Sequence, residues 1–91
     1  MTVSQLSYMS WKLLSFVLRS KQRREIILTL NKPKTPTQIA HDTDLSVAHV
    51  SRTLREFTTK GIVKCETPHE KIGRIYRLTE EGRKIMKNLR R

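Results

Sequence analysis

Between Thr35 and Val63 the chain reads as a short helix, a tight turn and a longer helix that runs directly into a strand. Thr35-Pro36-Thr37-Gln38 has the form of a capping box. It supplies a threonine hydroxyl for the N–H three residues on, a proline where a missing N–H costs nothing, and a glutamine able to reach back. Ile39 and Ala40 are the inward residues of this first helix. Asp42, Thr43 and Asp44 are turn formers, and Leu45 plugs the angle between the helices. Ser46 is a second N-cap, and the helix it opens runs to about Lys60 and stops at Gly61.

In that second helix Val47, Val50, Leu54 and Phe57 recur at spacings of three and four, so they are expected on one face, against the core. Ala48, Arg52, Arg55 and Thr59 then point outward, with His49 and Ser51 on the flanks. The chain carries 19 Lys plus Arg against 8 Asp plus Glu, a formal net charge of +11. Such an excess draws polyanions and says nothing by itself about fold. Taken alone, Arg52 and Arg55 are a solvated helix face beside Glu56. Within a helix-turn-helix of this charge, the outward set suits a DNA major groove. Arg52 can donate two hydrogen bonds to guanine, His49 and Ser51 can meet base edges or phosphate, and Ala48 can touch a thymine methyl. Ala48, His49, Ser51 and Arg52 are therefore the base-reading candidates. Thr35 and Thr37 sit at a helix N-terminus suited to a phosphate, with Lys32 and Lys34 just before it and Ser46 capping the next helix.

Residues 62–67 and 74–79 alternate as two strands, joined by the loop Pro68-His69-Glu70-Lys71-Ile72-Gly73. Lys71 and Arg74 (with His69 beside them) can reach the adjacent minor groove or backbone. Thr79-Glu80-Glu81 starts a last helix, its acids at the positive end and Ile85, Met86 and Leu89 inward. The expected fold is mainly α with a small β-hairpin.

Upstream, residues 3–18 are expected to be helical. Val3, Leu6, Met9, Leu13 and Phe16 or Val17 form one apolar line, and Trp11, Leu14 and Leu18 a second on another face. A helix apolar on two faces must bury both, and a chain of 91 residues offers few surfaces for that. One side is expected on its own domain and the other on a second copy, making Leu6, Met9, Trp11, Leu13, Leu14, Phe16 and Val17 dimerisation candidates. Residues 1–20 form this element and residues 21–91 the rest of one compact domain. Residues 21–31 make the next helix, around Ile26, Ile27 and Leu30, and Lys32-Pro33-Lys34 breaks it. Arg23 and Arg24 oppose the dipole of its first turn, which implies either a continuous helix from residue 3 or an anionic partner nearby.

The series Thr37-Gln-Ile-Ala40, Leu45-Ser46, Val50-Ser-Arg-Thr-Leu54 and Lys60-Gly-Ile-Val63, with Gly73-Arg-Ile-Tyr-Arg-Leu-Thr-Glu-Glu-Gly82, resembles the winged helix-turn-helix domain of MarR- and ArsR-type regulators of bacteria and archaea. The resemblance covers residues 21–89. It implies a DNA-binding homodimer with the recognition helix, residues 46–60, in the major groove and the wing, residues 68–74, on minor groove and backbone. Ala48, His49, Ser51, Arg52 and Arg74 would contact DNA, and Lys34, Thr35, Thr37, Ser46, Arg55 and Lys71 are further phosphate candidates. The paired-cysteine metal motif of the arsenic-type sensors and the long flanking helices of MarR proteins are missing or abbreviated, so no effector site is implied. The N-terminal helix is the extra element.

No catalytic constellation, metal-ligand spacing or glycine-rich phosphate loop is present in the sequence, so the chain is expected to be a DNA-binding regulator and not an enzyme, without cofactor or metal. The lone Cys65 excludes an internal disulfide and fits a small core residue in a reducing compartment. The apolar run at 13–18 is short and interrupted by serine, with its basic residues on the wrong side for a signal peptide. A cytoplasmic, nucleoid-associated location is therefore expected, although a basic amphipathic helix lying on a membrane surface is a rival reading of residues 3–18. Two other roles fit the same features: a chromosome-associated protein coating DNA without sequence preference, or a winged-helix protein-interaction module.

Overall fold

The computed structural model describes residues 8–90, with side-chain burial given from Ser10 to Arg90. Its elements run α1 (Tyr8–Leu18), α2 (Lys21–Thr29), α3 (Pro36–Thr43), α4 (Val47–Thr59), β1 (Val63–Cys65), β2 (Tyr76–Leu78) and α5 (Glu80–Leu89). The expected α-plus-hairpin class and element order hold. Of the N-terminal positions, Val3, Leu6 and the side chain of Met9 lie outside the described residues.

The cap chemistry decides where the helices start and stop. Thr35 Oγ1 accepts from Gln38 N at 3.2 Å while Gln38 Oε1 accepts from Thr35 N at 2.9 Å, completing the capping box. Asp44 ends α3 in a left-handed conformation, φ 61°, which turns the chain toward α4. Asp42 and Thr43 are helical and do not belong to the turn. At the other end of α4, Gly61 (φ 77°) supports a Schellman closure, in which Ile62 N donates to Phe57 O at 2.8 Å and Gly61 N to Thr58 O at 3.1 Å.

The inward face of α4 is Val50, Thr53, Leu54 and Phe57. Val50, Leu54 and Phe57 are fully buried beside Val17, Ile26, Ile27, Ile39, Ile62 and Ile85. Each such side chain contributes about 1.5–3 kcal/mol relative to exposure. Val47, expected in this line, is 45% exposed. It stands in the first turn on the flank of the stripe, and Thr53 takes the inward place instead.

The arginines of α2 have a simpler partner than either expectation. Ser20 interrupts the chain as N-cap of α2, so α1 and α2 are separate helices. Arg23 Nη1 donates to the Phe16 carbonyl at 2.8 Å, and Arg24 Nη1 bonds the Leu18 carbonyl. Both satisfy acceptors at the C-terminal end of α1, where positive charge is favoured. The Arg23 guanidinium also lies 3.8 Å from the centre of the Phe16 ring, and Lys60 from the end of α4 lies 4.6 Å from it. Phe16 in turn meets Phe57 edge-on, with centroids 6.3 Å apart.

The faces of α1 divide differently from the expected pair of lines. Leu14 and Val17 are buried in the domain's own core, with Leu13 and Phe16 packed partly against it, while Trp11 and Leu18 are exposed. The reason is the position of α1 between α2 and α5, which draws the side bearing Ser10, Leu14 and Val17 inward. Ser10 satisfies its buried hydroxyl on the Glu81 carboxylate of α5.

The strands pair antiparallel with Val63 opposite Leu78, Lys64 opposite Arg77 and Cys65 opposite Tyr76. The linker between α2 and α3 adds a bridge: Lys34 N donates to Tyr76 O at 3.0 Å and Tyr76 N to Lys34 O at 2.8 Å. Thr79 docks α5 onto this layer. Its hydroxyl lies 2.6 Å from the Gly61 carbonyl and accepts from Gly82 N at 3.1 Å.

Gly82 is where α5 approaches most closely, since a Cβ there would sit 2.2 Å from the Ile62 carbonyl oxygen. Helix propensity alone makes Gly82→Ala stabilising by about 1 kcal/mol. Overpacking against backbone costs about 1–3 kcal/mol, and more where the contact is this short. The expected net result is destabilisation, read as a lower urea midpoint. A raised midpoint would show that α5 can move away from the turn.

Candidate nucleic-acid interface

One side of the molecule gathers the outward face of α4, the N-terminal turn of α3 and the loop between β1 and β2. Ala48, Arg52 and Arg55 are exposed on α4, and His49 and Ser51 are half-buried on its flanks. Ser46 caps the helix by accepting from His49 N at 3.1 Å. Thr37 is exposed at the start of α3. Pro36 has no N–H, and the Gln38 and Ile39 N–H groups donate to Thr35. Thr37 thus holds the one first-turn N–H of α3 left for an outside acceptor among the described residues.

Across from α4 stands the loop. Thr67 organises it by accepting from Glu70 N through its carbonyl at 3.0 Å and from Ile75 N through its hydroxyl at 2.9 Å. The Arg74 guanidinium donates back to the Glu70 carbonyl. Gly73, φ 71°, makes the reversal in a conformation that other residues adopt with strain. Between loop and helix lies a groove of about 350 Å³ lined by Pro36, Thr37, Val47, Ser51, Arg55, Lys71, Ile72, Gly73, Arg74 and Tyr76. A second, shallower hollow along α4 is lined by Arg52, Arg55, Glu56, Thr59 and Lys60.

The structure therefore brings together Thr37, Ser51, Arg55, Lys71 and Arg74 from three elements. Ala48 and Arg52 lie on the same helix outside that groove. Lys34 is placed elsewhere. Its ammonium is 2.7 Å from the Asp42 carboxylate and 3.0 Å from Thr29 Oγ1, with a side chain 12% exposed. That lysine neutralises a helix-end acid, so it is not offered to a phosphate. Thr35 is likewise occupied by its own cap. Val47, Ile72 and Tyr76 were not singled out in the sequence as part of this surface. The detectable signal was a lone isoleucine in an otherwise polar loop.

Lys34, Arg77 and Lys84 are paired with Asp42, Glu66 and Glu81. Arg52, Arg55, Lys71 and Arg74 form no ion pair among the described residues. No group of His, Cys, Asp and Glu able to hold a metal occurs among the described residues, and none of their helices is long and apolar enough to cross a membrane.

Three helices, a tight turn, a recognition-type helix and a two-stranded wing closed by a fifth helical element define a winged helix-turn-helix domain of the MarR-like type. The chain belongs to the family described as HVO_A0261 N-terminal domain, whose model matches residues 11–91. No curated protein matches the chain. Among solved structures, it superposes on a MarR family transcription regulator, SP03579, with TM-score 0.69 and 26% identity over 81% of this chain and 53% of that one. The reduced form of MarR from E. coli gives TM-score 0.69 and 19% identity over 97% and 67% of the two chains. A cysteine-to-serine mutant of MarR from E. coli complexed with operator DNA gives TM-score 0.66 and 18% identity over 98% and 66%. The chain thus spans about half to two thirds of the length of the structures it matches.

Asp42 offers a direct check on the placement of Lys34. The hydrogen bond from Lys34 holds the Asp42 carboxyl below its ordinary value of 3.8, with Thr29 adding to the effect and burial opposing it. A depressed carboxylate contributes stability that is complete above the ordinary value and is lost as pH falls through the lower folded value. In thermal melts, Asp42→Asn should be less stable than the parent above pH 3.8, and the two should converge at more acidic pH. A gap that stays constant with pH would mean that the ion pair is not what holds Lys34.

Proposed function

We propose that the chain is a DNA-binding transcription regulator that reads the major groove with α4 and rests its wing on the adjacent minor groove and backbone. The observation that carries this reading is a set of cations without ion pairs among the described residues, on one side of a +11 chain: Arg55, Lys71 and Arg74 line one groove, and Arg52 stands beside it on α4. Four such cations, brought to one side by the wing and α4, favour an anionic partner there. The family's fold and the operator complex of the E. coli relative support the same reading.

Within this geometry Ala48, His49, Ser51 and Arg52 are the base-reading positions, with Arg52 the strongest discriminator through paired hydrogen bonds to guanine. Thr37, Arg55, Lys71 and Arg74 hold phosphates and set the register, while Ser46, like Thr35, is occupied by its own cap. Two copies are proposed to join through α1, where Trp11 (43% exposed) and Leu18 (48% exposed) present apolar surface outward. Leu14 and Val17 support that helix from inside its own subunit.

Selection of duplexes from a random pool at physiological salt tests this directly. An enriched inverted repeat is the expected outcome, and binding without enrichment would replace specific regulation with DNA coating. Failure to bind any duplex would overturn the reading. Arg52→Ala should cost about 1–3 kcal/mol and relax preference at one position, whereas Lys71→Ala should weaken all sequences alike and lower the salt slope by about 1.

A further inference from the structure

Ile72 is 89% exposed, far more than any other large apolar side chain of the described residues. A single exposed isoleucine on a surface is ordinary. Its position is not. It stands at the apex of the β1–β2 loop with Lys71 before it, Gly73 and Arg74 after it, and it lines the same groove as Thr37, Ser51 and Arg55.

The base of the loop is held on both sides of the apex. Thr67 closes the loop through its carbonyl and its hydroxyl, Arg74 braces the Glu70 carbonyl, and Glu66 N donates to Ile75 O at 2.7 Å. Such a frame fixes the base of the loop on either side of Lys71, Ile72 and Gly73. Apolar wedges of this type, flanked by cations, enter the minor groove between base steps and part them, bending the duplex toward the major groove. Of the two acids in the β1–β2 loop, Glu66 is paired with Arg77, and the Glu70 carbonyl accepts from Arg74 in the brace.

Resting on the DNA-binding reading above, we infer that Ile72 is a wedge: it inserts between base pairs where the wing meets the minor groove, bends the DNA, and so reads sequence by its deformability. Lys71 and Arg74 anchor the phosphates on either side of the opened step. Specificity follows at positions that no side chain contacts by hydrogen bonding. The wedge favours steps that unstack easily, TA and CA/TG, at a fixed distance from the recognition-helix contacts. Ile72 is thus a specificity-determining residue of the wing.

The test uses the intact chain and an end-labelled duplex of about 30 base pairs, taken from the random-pool selection or, without enrichment, of random sequence. Bending is read by energy transfer between the ends at saturating protein. The expected result is a bend of roughly 20–90° with the parent chain. Ile72→Ala should straighten the complex while it still forms, with affinity about tenfold weaker, and Ile72→Leu should restore the bend. Arg52→Ala should weaken binding yet leave the saturated complex bent. A parent complex that is bound but straight, or an alanine variant that bends equally, overturns the wedge and leaves DNA binding intact. A parent chain that binds no duplex removes both.

Discussion

The orientation of α4 depends on one packing arrangement, the burial of Val50, Leu54 and Phe57 in the common core, where α4 lies against α3 and β1 and Phe57 meets the Phe16 ring of α1. Phe57 is central to it, since its ring meets Phe16 and its carbonyl accepts the N–H that closes the helix beyond Gly61. Interiors packed at this density do not rotate a helix gradually. The outward positions of α4 therefore inherit their direction from its inward ones. Core residues that touch no partner fix where Arg52 and Arg55 point.

Much of this was legible in the sequence because it is local. Thr35 and Ser46 cap the helices they were expected to cap, the last helix starts at Thr79-Glu80-Glu81 as expected, and Gly61 closes α4. Pairing of β1 with β2 followed from their alternation. What the sequence did not show depends on contacts between distant segments. Periodicity placed Val47 in the core, yet a first-turn residue on the edge of the stripe lies against the wing groove. Arg23 and Arg24 read as a dipole conflict because their acceptors, the Phe16 and Leu18 carbonyls, belong to another helix. Lys34 read as a free cation because Asp42 reaches it only after α3 has folded back.

The N-terminal helix shows the limit of patterning most clearly. Its apolar residues are spread around much of the circumference, which led to the expectation of two buried sides; the side with Ser10, Leu14 and Val17 is buried, and Trp11 and Leu18 are exposed. Which side faces inward is decided by neighbours, here α2 and α5, and by the fit of Ser10 onto Glu81. Phe16, half-buried at the end of that helix, carries a cation on it from α2 and another from α4. The surface on which a second copy is proposed to sit is thus joined by one aromatic ring to the far end of α4.

The bridge between Lys34 and Tyr76 has its own consequence. Two backbone hydrogen bonds join the entry of α3 to the root of the wing, and the Thr79 hydroxyl fixes the start of α5 to the carbonyls just beyond α4. The helix pair and the hairpin are consequently arms of one caliper with its jaw locked. A locked jaw gauges width: a cylinder whose furrows match its opening meets both arms at once, and one with other proportions engages a single arm. Discrimination between forms of a polymer can then begin with the rigidity of the gauge, before any individual side chain is consulted.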